Sequence, residues 1–177
     1  MTAPSFDDFG ELPAATFGGS GIPNDHVAIR TITDDNGTAD TSDDVTITLG
    51  LTAHGRYSYS QWYGQDGYFY VERGTFGGTL PDANYARWNF DWYVEFSKDP
   101  AGAYAVELLY DFDPGADTAE TDLGSAGGLA YDTQFQNSWN LGMDFLGVDS
   151  ANSGLYTQKP NASFDPVAEG EYTFALK

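Results

Sequence analysis

The chain has 177 residues with 27 Asp or Glu against 7 Lys or Arg, a formal net charge of −20. A field of that sign repels phosphate backbones and anionic lipid headgroups, which argues against nucleic acids and membrane surfaces as partners. The sequence has no cysteine, so disulfides, thiolate metal sites and a cysteine nucleophile are excluded. No apolar run approaches the roughly 20 residues that span a bilayer, so no membrane insertion is expected.

The domain organisation is predicted to be simple. A hydrophobic fraction of 41% and an aromatic fraction of 16% are ample for one core. Residues 1–25 are rich in Pro, Gly and Asp, which predicts an irregular N-terminal arm before a folded domain over residues 26–177. The opening "MTAPSFDD" contains no signal peptide and is typical of a mature region behind an added Met.

Several segments show the alternation of apolar and polar residues that is typical of strands. In chain order they are HVAIRTI (26–32), VTITLGLTA (45–53), a hairpin YSYSQWYGQDGYFYVERG (57–74) turning at GQDG, RWNFDWYVEF (87–96), AYAVELLYDF (103–112), SWNLGMDFLG (138–147) and GEYTFALK (170–177). Helical spacing is weak throughout. The chain is therefore predicted to be all-β, a single-domain antiparallel β-sandwich of jelly-roll type.

One strand register follows from a turn signal. The segment KDPAG (98–102) separates residues 87–97 from residues 103–112, and it carries the Pro and Gly of a tight turn. If apolar side chains face each other, the two segments pair as a hairpin with Val94 opposite Val106. The first strand then turns its tryptophans to the core and its polar residues to solvent.

This register gives the chain its one candidate pair of catalytic carboxylates. Glu95 and Glu107 would lie diagonally on one face with their Cβ atoms roughly 7 Å apart, near the separation that glycosidases use. A polar solvent face gives the same pattern without chemistry. His26 and His54 could bind zinc or act as a base, although a partner carboxylate and a turn hydrogen bond also explain each of them.

The stretch YDFDPGADTAETDLG (110–124) carries five carboxylates, and no Lys or Arg occurs between residues 99 and 158. The turn at Pro114-Gly115 would bring several of these carboxylates together, and their repulsion would require a cation. Ca²⁺ is the suspected cofactor because it accepts six to eight oxygen ligands in flexible geometry. The candidate ligands are Asp111, Asp113, Asp117, Glu120 and Asp122. The alternative is a solvated acidic loop without an ion.

Two further patterns are candidate sites. Asp34, Asn36 and Asp40 in DDNGTADTSDD (34–44) could hold a second Ca²⁺, although Asn36-Gly37 is also an ordinary turn. The aromatic hairpin could stack on sugar faces, or its rings could be core and cross-strand pairs. Its candidate carbohydrate-binding residues are Tyr59, Trp62, Tyr63 and Tyr68.

Two short internal echoes are present without a fixed period. TFGGSG (16–21) is similar to TFGGTL (75–80), and DFDPGAD (111–117) is similar to SFDPVAE (163–169). Because neither echo recurs regularly, no repeat architecture is predicted.

The blocks TFGGSGIPNDHVAI, TLGLTAHGRY, WNFDWYVEF, ELLYDFDPG, QNSWNLGMDFL and FDPVAEGEYTFAL resemble exported bacterial proteins of the PEP-CTERM type. The resemblance covers about residues 16–176. It implies a secreted or surface-associated protein linked to exopolysaccharide and biofilm, and it carries over no catalytic residues. The Pro-Glu-Pro sorting motif and its hydrophobic helix are missing, which implies either a trimmed chain or a released member of the group.

Together these features predict a secreted, non-enzymatic, calcium-binding β-sandwich protein of the bacterial extracellular matrix or cell surface. It could self-assemble, with the N-terminal arm packing on a neighbouring subunit by strand addition. The alternatives are a module that binds extracellular polysaccharide through exposed aromatics and, as a third reading, a glycoside hydrolase.

Overall fold

A computed structural model describes residues 5–57, 59–63, 67–77, 84–98, 102–129, 132–147 and 156–177. The strands within these ranges are β1 (Asp8–Gly10), β2 (Val27–Asp34), β3 (Val45–Gly55), β4 (Gln61–Tyr63), β5 (Phe69–Val71), β6 (Trp88–Phe96), β7 (Leu108–Tyr110), β8 (Gly124–Ala126), β9 (Gln134–Trp139), β10 (Tyr156–Gln158) and β11 (Phe174–Leu176). Short 3-10 helices occur at Glu120–Asp122 and Asp144–Leu146. No helix in the described ranges is long and apolar enough to cross a membrane.

The strands form two principal antiparallel sheets that pack face to face, which confirms the predicted all-β sandwich. One sheet has the order β1-β2-β3-β6-β9 and the other the order β10-β8-β7-β11. The hairpin β4-β5 forms a separate two-stranded sheet, so the predicted pairing of strands within residues 57–74 is confirmed. Residues 64–66 of the predicted turn GQDG lie outside the described residues.

The main core lies between the two sheets. The alternation in β6 directs all five of its apolar side chains inward, and the partly buried apolar residues of β3 pack against the same core. The inward residues of β6 are Trp88, Phe90, Trp92, Val94 and Phe96. The second sheet contributes mainly aromatic and leucine side chains to this core. Phe174 of β11 stacks on Phe90 with ring centroids 4.4 Å apart.

The predicted register between residues 87–97 and 103–112 is wrong. β6 pairs with β3 and β9, whereas β7 belongs to the opposite sheet, so the chain crosses the sandwich between them. Val94 therefore lies opposite Leu49 and Phe135 instead of Val106. Part of the predicted turn, residues 99–101, lies outside the described residues.

Two predicted strands are shorter than expected or displaced. Of residues 103–112 only Leu108–Tyr110 form a strand, although Val106 and Phe112 are still buried in the core. The segment 138–147 was predicted to be a strand, but β9 ends at Trp139 and the chain then turns into a 3-10 helix.

The N-terminal arm joins the sheet through one short strand, and residues 11–26 form neither helix nor strand. Its strand β1 pairs with β2, and the residues after β1 cover the outer face of β6. Leu12, Ala15 and Phe17 form a second core cluster there with Val27 and Tyr93, all of them buried. The face of β6 that was predicted to be solvated is thus covered by the chain itself, and the arm packs on its own sheet.

Candidate functional site

The hairpin β4-β5 turns a pair of aromatic rings outward. Trp62 and Tyr70 are direct cross-strand partners, with exposed fractions of 63% and 57%. Side chains alternate along each strand, so the flanking residues of both strands turn to the other side and are partly buried. Tyr68 and Tyr57 are also exposed. These rings form the aromatic surface of the molecule, defined here as Tyr57, Trp62, Tyr68 and Tyr70.

A polar cavity of ≈ 560 Å³ adjoins this surface. Its walls come from residues 20–23 of the N-terminal arm, from Tyr57 and Tyr59 in the connection between β3 and β4, and from Trp62 of β4. His54 and Arg56 bring ring nitrogens and a guanidinium to the lining. Such a cavity can surround a small polar ligand while the exposed rings cover one of its faces.

His54 is fixed at the cavity by a buried carboxylate. Its Nδ1 lies 2.6 Å from Oδ2 of Asp91, whose side chain is completely buried in β6. Burial raises the pKa of the Asp91 carboxyl, while the hydrogen bond from His54 and the hydroxyl of Ser138 favour its charged form. Because the hydrogen bond with the carboxylate occupies Nδ1, the ring is held in one orientation.

The second histidine lies in a neighbouring aromatic cluster. His26 stacks on Tyr63 with ring centroids 4.1 Å apart, and its Nδ1 lies 3.1 Å from a carboxylate oxygen of Asp25. A second cavity of ≈ 550 Å³ is lined by these residues and by the arm around Phe9. Each histidine thus has a carboxylate neighbour, as predicted.

The four predicted carbohydrate-binding residues divide into two pairs. Trp62 and Tyr68 are exposed on the aromatic surface. Tyr59 and Tyr63 are partly buried: Arg87 lies 4.8 Å from the ring of Tyr59, and Tyr63 stacks on His26. Tyr57 and Tyr70 are the two members of the aromatic surface that the prediction left out. The position of Tyr70, two residues after Tyr68, could have indicated it.

The five predicted calcium ligands in residues 110–124 do not converge. Asp111 is 1% exposed, whereas Asp113 and Asp117 are exposed. Glu120 forms an ion pair with Lys177, and the carboxylate of Asp122 accepts a hydrogen bond from Asn161 at 3.1 Å. The described residues contain no group of three or more His, Asp or Glu side chains arranged tightly enough to hold an ion.

The second predicted calcium loop, residues 34–44, is held by its own hydrogen bonds. Asp34 accepts from the hydroxyl of Tyr104 (2.8 Å), and the Asn36 side chain donates to the backbone of Asp43 (2.9 Å). Asp40 accepts from the amide of Ser42 (2.9 Å), and this contact lowers the pKa of Asp40. Turn hydrogen bonds therefore account for these polar residues.

The predicted carboxylate pair of a glycosidase is not formed. Glu95 lies in β6, and Glu107 precedes β7 in the opposite sheet, where its backbone pairs with Lys177. The hydroxyl of Tyr93 donates to Glu95 at 2.9 Å. The prediction of this carboxylate pair was wrong because it depended on pairing residues 87–97 with residues 103–112, which lie in different sheets.

Comparison with known proteins gives no match. No family model, curated protein or solved structure matches this chain.

Proposed function

We propose that this chain is a secreted, non-catalytic β-sandwich protein of the bacterial extracellular matrix that binds polysaccharide through its aromatic surface. The observation that carries this proposal is the cross-strand pair of Trp62 and Tyr70, both more than half exposed. Exposed rings are costly in water, and a cluster of them marks a surface that contacts a ligand or partner. Sugar rings present apolar C–H faces that suit such a platform.

The cavity beside the platform supports the same proposal. His54 and Arg56 can exchange hydrogen bonds with sugar hydroxyls while Trp62 covers the apolar face of the ring. The net charge of −20 favours a neutral polysaccharide over an acidic one, because a polyanion would be repelled. The resemblance to exported exopolysaccharide-associated proteins leads to the same class of ligand.

Removing one ring of the pair tests this function. In gels containing a neutral polysaccharide, we expect the protein to be retarded. Trp62→Ala should weaken binding about two- to tenfold, because a ring contact contributes about 0.5–1.5 kcal/mol and 1.4 kcal/mol corresponds to tenfold. Trp62→Phe should keep part of the affinity. The matched control is Val167→Ala, an apolar residue that is 54% exposed and lies outside the aromatic surface. Equal mobility of all variants with every polysaccharide would refute the proposal.

A second proposal, calcium binding, is favoured by one buried atom. Asp111 is 1% exposed, and its Oδ2 is buried without a hydrogen-bond partner. A buried carboxylate oxygen is normally satisfied, so a cation or a proton is expected there. This supports Ca²⁺ at Asp111, but not the full set of ligands that the sequence analysis named.

Self-assembly through a sheet edge is a proposal with its own observation. β1 covers only Val27–Ile29 of β2, so along the rest of β2 the described strands add no neighbour on the outer side. Ile32 on that stretch is 40% exposed. An edge of this kind can accept a strand from a second copy.

A further inference from the structure

Two Phe-Asp-Pro turns, one from each of the similar segments 111–117 and 163–169, lie side by side. The rings of Phe112 and Phe164 pack with centroids 5.7 Å apart. The amide of Glu171 donates to the carbonyl of Pro114 at 3.2 Å. Gly170 lies so close to Pro114 that no Cβ would fit between them. The two turns, distant in sequence, therefore form one structural unit.

Each turn holds its aspartate in the same way. Oδ1 of Asp113 accepts from the amide of Gly115 (2.8 Å), and Oδ1 of Asp165 accepts from the amide of Val167 (3.0 Å). Both side chains are exposed. One oxygen of each carboxylate is thus engaged by its own turn, and the described hydrogen bonds leave the other oxygen available.

Two buried polar atoms beside the turns lack partners. Asp111 uses Oδ1 to accept from the amide of Asp113 (2.9 Å), but its Oδ2 accepts no hydrogen bond. The side chain of Thr118 and the backbone of Thr173 favour the charged form of the Asp111 carboxyl. Neither group, however, makes a hydrogen bond of normal geometry to its Oδ2. The hydroxyl of Tyr172 is likewise buried without a partner. Orphaned atoms of this kind indicate a missing ligand or water.

The surrounding charge is negative and uncompensated. Burial raises the pKa of the Tyr172 hydroxyl, and the negative charges of Asp165, Asp111 and Asp113 raise it further, so all three carboxylates act on one hydroxyl. Arg73, the cation beside the second turn, contacts Glu169 instead, at 3.6 Å. No ion pair among the described residues reaches the three aspartates.

We propose that the paired turns form a Ca²⁺ site whose protein ligands include Oδ2 of Asp111, Asp113 and Asp165. This inference rests on the calcium-binding proposal above and moves the site from one acidic stretch to the junction of two. As described, the three carboxylates are not arranged tightly enough to hold an ion. Asp111 is fixed by burial, so the exposed Asp113 and Asp165 must rotate towards it on binding to complete the oxygen set. Carboxylate, carbonyl and water oxygens suit hard divalent cations, and Ca²⁺ tolerates the flexible geometry of two side chains that move to the site.

Metal binding can be measured without any glycan. Tb³⁺ replaces Ca²⁺ at oxygen sites, and the ring of Tyr172 beside the site should sensitise its luminescence. We expect Tb³⁺ emission that excess Ca²⁺ abolishes and that persists in 0.15 M NaCl, where diffuse attraction by the net charge is screened. At a Ca²⁺ concentration about a hundredfold above Kd, Tm should rise by about 5–10 °C over its value in EDTA.

Matched variants separate this site from general acidity. Asp165→Asn keeps the turn acceptor for Val167 but loses the anionic ligand, so we expect Kd to rise about tenfold or more. Asp132→Asn removes the same charge at an exposed position outside both turns, where Oδ1 accepts from the amide of Thr133 (2.6 Å), and it should bind as the wild type does. The Tm of each variant in EDTA shows whether the variant is folded. If Asp165→Asn does not fold, Asp113→Asn provides the same test.

The outcomes distinguish the two levels of the proposal. If the wild type binds Ca²⁺ and both Asp113→Asn and Asp165→Asn bind it equally well, calcium binding stands and the paired-turn site is wrong. If the wild type shows neither Ca²⁺-displaced emission nor a shift in Tm, both are wrong. Polysaccharide retention of Asp165→Asn should equal that of the wild type in either case, because the aromatic surface is elsewhere.

Discussion

Replacing Asn140 with alanine should lower the free energy of unfolding by about 3–5 kcal/mol, because this fully buried amide joins separate pieces of backbone. Its Oδ1 accepts from the amides of Ala86 (2.8 Å) and Gly142 (3.0 Å). Its Nδ2 donates to the carbonyls of Ala86 (3.0 Å) and Trp88 (2.7 Å) and to the Asn89 side chain (2.8 Å). Alanine would strand all of these groups in a region that water cannot easily reach.

Urea unfolding followed by tryptophan fluorescence measures this effect as a lower midpoint with an unchanged slope. Asn140→Asp tests the mechanism, because it keeps the shape but points a carboxylate at two carbonyl oxygens; it should be at least as destabilising as alanine. Asn161→Ala is the control: its side chain is exposed and makes one described bond, to Asp122, so the loss should stay within about 0.5 kcal/mol. If Asn140→Ala lowered the free energy of unfolding no more than Asn161→Ala does, the role of Asn140 in joining the backbone segments would be contradicted.

The sequence predicted which face of a strand is buried better than it predicted which strands are neighbours. The alternating side chains around Trp92 and around Leu108 both face the core, as expected. Alternation is satisfied equally well when two strands face each other across the sandwich and when they pair side by side. The strands β6 and β7 face each other across the sandwich, so Trp92 pairs with Leu51 and Asn137 instead of Leu108.

The N-terminal arm could not be placed from local pattern because it is buried without periodic structure. Phe17 is 1% exposed although Gly and Pro surround it, and it adopts a positive φ of 49°. Its burial depends on the outer face of β6, more than 70 positions later in the numbering. Only the tertiary fold reveals that Tyr93 on this face is a core residue instead of a solvent-facing one.

The candidate sites show the same division between local and distant information. The aromatic surface was predictable because the turn at GQDG and the alternation around Trp62 are local signals. The proposed cation site was only half visible. Its two Phe-Asp-Pro segments could be recognised as similar, but spacing alone does not show that Asp165 lies beside Asp111. The crowding of carboxylates along residues 110–124 favoured Glu120 and Asp122, whose partners are Lys177 and Asn161.

Tyr93 should make the stability of the protein fall at alkaline pH. It is fully buried beneath the arm, its hydroxyl donates to Glu95 (2.9 Å), and it accepts from the Gln134 side chain (2.8 Å). Burial, followed by the hydrogen bond and the negative charge of Glu95, raises the pKa of Tyr93 to about 12. Ionised Tyr93 would lose its donor and face a carboxylate.

The sign follows from proton counting. The unfolded chain releases this proton near pH 10.0, the ordinary tyrosine value, whereas the native chain retains it to about pH 12. Between these values the native state binds more protons, so wild-type stability falls with rising pH. Tyr93→Phe removes this loss, and the difference in unfolding free energy between wild type and variant should move by about 1–2 kcal/mol in favour of the variant.

Urea midpoints at about pH 9.5 and about pH 12 measure this change in the difference. Tyr57→Phe, at a ring that is 81% exposed, should retain the wild-type dependence. A difference for Tyr93→Phe that is constant with pH would mean that the buried hydroxyl ionises as readily in the folded protein as in the unfolded chain.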